Sequence, residues 1–205
     1  MNYLFYDFVK ITAGLPGLLA FRPKLLYHDP GKRERIRGGA LLIANHFGFF
    51  DPIYLQYAVW YRRMRFVCLQ SFFDSRAGWL FEAVHCIPIN RDNIGMDSIR
   101  TIIDSLKEEK LVAMFPEGHV NENTGIDPFK SGMVLMAMQS DKPIIPVYIR
   151  PRKHWYERLV LVIGEKVNVK EVSAGKTGMA AMEEVAAILK EKEEELKIQA
   201  EEWKR

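Results

Sequence analysis

In the run Asn45-His46-Phe47-Gly48-Phe49-Phe50-Asp51, a histidine precedes an aspartate by five positions and follows the apolar segment Ala40 to Ala44. These are the materials of a general base and its orienter, because a carboxylate on one ring nitrogen fixes the tautomer and leaves the other nitrogen able to take a proton. The same spacing is also that of a turn with a capping aspartate, and a chain with 5 His and 26 acidic residues offers such pairs by chance. A second carboxylate stands in a comparable place. Phe115-Pro116-Glu117-Gly118 follows Leu111 to Met114, so Glu117 lies just beyond another strand-like segment and before a glycine that permits a sharp turn. Ligands of open α/β sheets bind outside the carboxyl ends of the strands. The two loops are therefore expected to meet in one cleft, with a surface turn as the alternative for Glu117.

The elements that must carry these residues alternate along the chain. Strands are expected over Ala40 to Ala44, Arg65 to Leu69, Cys86 to Asn90, Leu111 to Phe115, Ile144 to Ile149 and Leu159 to Ile163, with a further short strand after the last. Helices are expected over Pro52 to Trp60 with Asp51 as N-cap, Ala77 to Val84, Asp97 to Glu109, Gly132 to Gln139 and Lys176 to Lys204, the last becoming almost wholly charged beyond Lys190. Met133, Met136 and Met138 read as core filling. This alternation predicts an α/β fold, a single-domain sandwich with a largely parallel central sheet flanked by helices. At 205 residues and 48% hydrophobic composition, one sizeable core fits the length. Residues 1–37 form a helical segment and basic connector, and 38–205 the domain that carries the chemistry.

A net charge of +3 does not suggest nucleic acid as a partner. The positive charge is clustered, at Arg22, Lys24, Lys32, Arg33, Arg35 and Arg37, at Arg62, Arg63 and Arg65, and at Arg150, Arg152 and Lys153. The first cluster follows the apolar segment Tyr3 to Phe21, an arrangement suited to an anionic membrane surface. Asp7, Lys10, Gly14, Pro16 and Gly17 interrupt that segment, which makes it a poor transmembrane span. It also lacks the basic start and cleavage site of a signal peptide. Two readings follow: a helical pair lying in the membrane interface with Tyr3, Phe5, Tyr6 and Phe8 as anchors, or a helix packed on the protein's own core. Cys68 and Cys86 sit in apolar contexts and read as buried free thiols of a reducing compartment. The scattered histidines offer no metal site.

Four motifs in order resemble the glycerolipid acyltransferases, especially the 1-acylglycerol-3-phosphate (lysophosphatidic acid) acyltransferases. The first is Asn45-His46 to Asp51, the second the strand Ile87-Pro88-Ile89-Asn90 ending in Arg91, the third Phe115 to Gly118, and the fourth Ile144-Ile145-Pro146-Val147. Phe129-Lys130-Ser131-Gly132 also looks familial. The resemblance covers roughly Leu41 to Ile149. It implies transfer of a fatty acyl group from a coenzyme A or acyl-carrier-protein thioester to a lysolipid hydroxyl, with the thioester as co-substrate and no cofactor. By the same resemblance His46 and Asp51 are catalytic, Glu117 and Gly118 organise the acceptor pocket, and Arg91 and Lys130 hold a phosphate. Backbone amides around Glu117 and Gly118 are candidate oxyanion donors, and Phe47, Phe49 and Phe50 line either an acyl entrance or the core. A peripheral enzyme on the cytoplasmic face of a membrane is expected. Two positions depart from the family pattern. His119-Val120 stands where the third block continues Thr-Arg, and Gly48 where the first has serine. The first departure leaves open another lysolipid or an aminolipid as acceptor, and a non-catalytic lipid-binding protein is the reading outside enzymology.

Overall fold

The computed structural model describes residues 3–90, 95–120, 125–154, 156–176 and 178–203. Among these residues the chain builds a seven-stranded sheet, with spatial order β1-β7-β6-β2-β5-β3-β4. The strands are β1 (Lys24–Tyr27), β2 (Ala40–Ala44), β3 (Met64–Leu69), β4 (Ile87–Ile89), β5 (Leu111–Met114), β6 (Ile144–Ile149) and β7 (Val160–Ile163). Neighbours are parallel except β6 and β7, which run antiparallel with Tyr148 opposite Val162. β1 pairs in parallel with β7 as an edge strand. It lies within what the sequence presents as a basic connector, so residues 1–37 are not separate from the sheet. Its two leucines carry too little pattern to reveal a strand that is defined by its partner.

Both faces of the sheet are covered, which explains why the central strands are unbroken apolar runs. Leu41, Ile43, Val112, Met114 and Tyr148 face α6 (Met96–Lys107), α7 (Gly132–Ser140) and α9 (Met179–Glu202). Leu42, Ala44, Ala113, Val147 and Leu161 face α3 (Asp51–Ala58), with Leu18 and Phe21 of α2 (Gly14–Phe21) packed against the same cluster. β3 and β4 are joined by α4 (Gln70–Phe73), which the sequence does not reveal, and α5 (Gly78–Ala83), which falls within the helix expected over Ala77 to Val84; a second unexpected helix, α8 (Val169–Val172), precedes α9. The expected strand after β7 is reduced to a single bridge between Val167 and Ile144. α9 does not leave the core where its sequence turns charged. Val185, Leu189, Glu193, Leu196 and Ala200 form one buried stripe along it, at the spacing of a helix face.

The N-terminal segment divides at Ala13 into α1 (Leu4–Thr12) and α2. Leu4–Phe21 as a whole is long and apolar enough to cross a membrane by length and composition. α1 is nevertheless tied to the domain. Tyr6, expected as an anchor, is buried; it donates to Gln56 Oε1 at 2.5 Å and accepts from Met64 N–H at 3.0 Å. Burial pushes its hydroxyl pKa up to about 12. Asp7 pairs with Arg63, and Tyr57 donates to Gly14 O. The opposite side is bare, with Leu4 74%, Phe8 60% and Leu19 80% exposed.

The basic clusters separate in the same way. Arg62 donates to the carbonyls of Ile36, Gly38 and Glu109, and Arg65 to His85 O and Ser105 Oγ. With Arg63 on Asp7, that trio holds the fold together and is not a bare basic patch. Cys68 on β3 and Cys86 just before the edge strand β4 are free thiols, both half-buried.

Candidate active site

The site is assembled where β2 and β5, neighbours in the sheet, release their chains at the same edge. Asn45 follows the last residue of β2 and is fully buried. Its side-chain amide donates to Ile149 O at 2.9 Å while its Oδ1 accepts from Ile149 N–H at 2.7 Å, so one side chain imitates a further residue of the β2–β6 ladder. That pins the backbone immediately before His46. The sequence offers no signal for this task of Asn45, because its partner is 104 residues away.

His46 and Asp51 meet directly, Nδ1 to Oδ2 at 2.9 Å. The same Oδ2 accepts from the backbone N–H of Phe47 at 2.6 Å and of Gly48 at 2.7 Å. Asp51 is thus not the N-cap of α3 but its first residue, with Phe50 in the cap position and Pro52 next in the helix. Its carboxylate turns back to close the loop that presents the histidine. A carboxylate can only accept, so Nδ1 carries the hydrogen and Nε2 is left as the proton acceptor. Phe115 stacks on the imidazole with centroids 4.1 Å apart and planes at 17°. The ring is therefore held by an acceptor at one edge and by a face contact. Its side chain remains 19% exposed.

Glu117 lies 3% exposed on the β5 side. Its Oε1 accepts from His46 N–H at 3.2 Å and its Oε2 from Asp127 N–H at 3.3 Å. It braces the loops from inside. Gly118 has φ 75°, a conformation that favours glycine, and a Cβ there would lie 3.0 Å from Lys130 Cε and Nζ. The Gly118 N–H donates to Phe115 O, so it does not face a substrate oxyanion. His119 directs both ring nitrogens at acceptors, Nδ1 to Glu117 O and Nε2 to Asp127 Oδ2. Val120 is 45% exposed.

Beside Phe115 opens a cavity of about 600 Å³ whose walls include Leu69, Ile89, Met114, Phe129, Met133 and, from α9, Ala186. Lys130 and Lys190 also line it. Arg91 lies outside the described residues. Phe47 turns inward against Tyr148, whereas Phe49 and Phe50 are exposed and stack edge to face beside the histidine loop. Among the described residues no cluster of three His, Cys, Asp or Glu side chains could hold a metal ion.

A family model described as Acyltransferase matches residues 25–150, more than half of the chain and the whole of this loop system. The chain belongs to the acyltransferase family. Similar proteins include the 1-acyl-sn-glycerol-3-phosphate acyltransferase of Bacillus subtilis (strain 168), 27% identical over 155 residues that make up 71% of this chain and 76% of that protein. The protein of the same description from Streptococcus pneumoniae is 28% identical over 148 residues, 70% of this chain and 53% of its own length. Among solved structures, the LPA acyltransferase PlsC of Thermotoga maritima superposes with TM-score 0.66 over 94% of this chain and 78% of its own, at 17% identity. The fold is thus that of a solved acyltransferase. In this acyltransferase, the matched residues 25–150 leave out α1, α2 and α9, the elements that supply the exposed apolar row and one wall of the cavity.

Proposed function

We propose that this acyltransferase moves a fatty acyl group from a coenzyme A or acyl-carrier-protein thioester to the free hydroxyl of 1-acylglycerol 3-phosphate, a step of phospholipid synthesis. The observation that carries the reading is the 2.9 Å contact of His46 Nδ1 with an Asp51 carboxylate that two backbone N–H groups hold in place. His46 Nε2 takes the hydroxyl proton as the oxygen attacks the thioester carbonyl. The tetrahedral intermediate collapses, the C–S bond breaks, and the imidazolium returns the proton to the departing sulfur. Asp51 stabilises the ring while it is positive. The hydroxyl attacks directly, so no acyl-enzyme and no cofactor enter the scheme.

The apolar cavity beside Phe115 suits the acyl chain, each buried methylene contributing about 0.8 kcal/mol. Lys130 over Gly118, together with Arg91, supplies cations for the acceptor's phosphate. Glu117 and Gly118 shape the pocket by setting the loop. The exposed row Leu4, Phe8 and Leu19 suits a membrane interface on the cytoplasmic face, where lysolipid and thioester meet. A second acceptor class is favoured by one observation: Val120, 45% exposed, presents no guanidinium at the rim. Under that reading another lysolipid or an aminolipid takes the acyl group.

Purified protein with acyl-CoA or acyl-carrier protein and a panel of lysolipids is expected to release free thiol with 1-acylglycerol 3-phosphate, and His46→Ala to abolish release without altering the melting temperature. Thiol release with every acceptor except that one would move the assignment to the second class. No release with any acceptor, while vesicles are still bound, would leave a lipid-binding protein.

A further inference from the structure

Glu193 is an acid in a stripe of core residues. Leu189 lies four positions before it, and Leu196 and Ala200 three and seven after it, all buried on the inner face of α9. Its own exposure is 0%, and neither carboxyl oxygen has a hydrogen-bond partner. Among the described residues, three groups face it. Glu117 approaches from the loop after β5, and the backbone N–H of Asn45 at the end of β2 lies close enough to favour its charged form without completing a hydrogen bond. Tyr148 approaches from β6, its hydroxyl pKa pushed up by burial and by Glu201, Glu193 and Glu117, with Arg150 opposing. β7 and α7, the other elements packed on α9, contribute no Asp, Glu, His, Lys, Arg, Cys or Tyr.

A buried carboxylate with no partner is too unfavourable to persist, and a neighbouring carboxylate makes it worse. Glu117 already accepts from two backbone N–H groups, one of them that of His46, and so is the better-supported site for charge. We propose that Glu193 is a positioning residue for the catalytic loop: it stays protonated behind the end of β2, so that Glu117 alone carries the negative charge that holds the backbone of His46. α9, which carries it, lies outside the residues matched by the family model. Loss of the Glu193 proton at high pH places a second negative charge against Glu117 and loosens the loop. Burial and Glu117 both raise its pKa well above the usual carboxylate range. Folding therefore takes up a proton above the unfolded value of about 4.3, and stability declines from there until the folded group ionises.

The proposal rests on the acyl-transfer reading of the His46 loop, and its test includes a readout independent of turnover. Full-length wild type, Glu193→Gln and Glu193→Met are compared. The infrared band of a protonated carboxyl is expected in wild type at neutral pH and absent in E193Q. E193Q should keep kcat within about twofold at neutral pH, lose the alkaline limb of the kcat profile, and gain melting temperature over wild type as pH rises from about 4. E193M, neutral at every pH, should likewise lose the alkaline limb and melt no lower than wild type. A wild-type alkaline limb in E193M, or a missing infrared band, would overturn the proposal. Should E193M fail to fold, the E193Q profile decides it: an unaltered alkaline limb refutes the role. If wild type transfers no acyl group at all, the infrared and melting data still judge the protonation of Glu193.

Discussion

Replacing Asp51 by asparagine removes one negative charge and little volume. Asp51 Oδ2 receives three donors, His46 Nδ1 at 2.9 Å, Phe47 N–H at 2.6 Å and Gly48 N–H at 2.7 Å. The asparagine oxygen can still accept from the two backbone groups. Its NH2 then faces His46, which must turn Nδ1 into an acceptor and carry its hydrogen on Nε2. The base is lost by tautomer. In the transition state the imidazolium also loses its counter-charge. At an effective dielectric of about 20 and a separation of about 3 Å, that interaction amounts to roughly 5 to 6 kcal/mol. Both side chains are less than a fifth exposed, so solvent screening removes only part of it. A loss of about 3 to 5 kcal/mol corresponds to a fall in kcat of about 10² to 10⁴. The assay is thiol release at saturating acyl thioester and acceptor, with a melting curve alongside. D51N folding normally and keeping kcat within tenfold of wild type would refute the base-and-orienter argument.

Two further outcomes follow from exposed and strained positions. Serine at Leu4, Phe8 and Leu19 together should weaken binding to anionic vesicles by about 10² to 10⁴, since each side chain, 60% to 80% exposed, would otherwise bury about 1 to 2 kcal/mol of apolar surface. The melting temperature in solution should not fall; a drop without loss of vesicle binding would return α1 to a purely structural role. Gly118→Ala forces a side chain into φ 75° and against the end of Lys130, a cost of about 1 to 2 kcal/mol. The melting temperature should drop by about 2 to 8 °C, and unchanged melting together with unchanged KM for the acceptor would show that neither the turn nor Lys130 depends on this glycine.

Much of the site was legible because its chemistry is local in sequence. His46 and Asp51 are five positions apart, and the short loop from β2 to α3 can close on itself whatever lies around it. Glu117 was legible as a residue but not in its orientation: its carboxylate reaches His46 N–H, a contact made only because β2 and β5 are adjacent in the sheet. Arg62, Arg63 and Arg65 illustrate the opposite limit. As sequence they form a basic cluster, yet their partners, among them Asp7, Ser105 and the carbonyl of Glu109, lie on distant segments, and only those partners decide that the charge is internal. β1 was illegible for a similar reason, since four residues become a strand through pairing with β7.

By itself, the amino-acid sequence determined the alternation of strands and helices, the two strand-end loops and the His46–Asp51 pair, because hydrophobic period, turn chemistry and short spacing act within a few residues. Only the tertiary structure decided that Asn45 extends the ladder to Ile149, that Phe115 lies on the imidazole, and that α1 is bound through Tyr6 yet bare along Leu4 and Phe8, with Leu19 of α2 exposed as well. It also decided the environment of Glu193. A glutamate beyond Lys190 in a charged run reads as solvated surface, and what makes it an unpartnered acid is burial by strands and loops that are remote in the chain. Desolvation belongs to the assembled fold, and no local pattern encodes it.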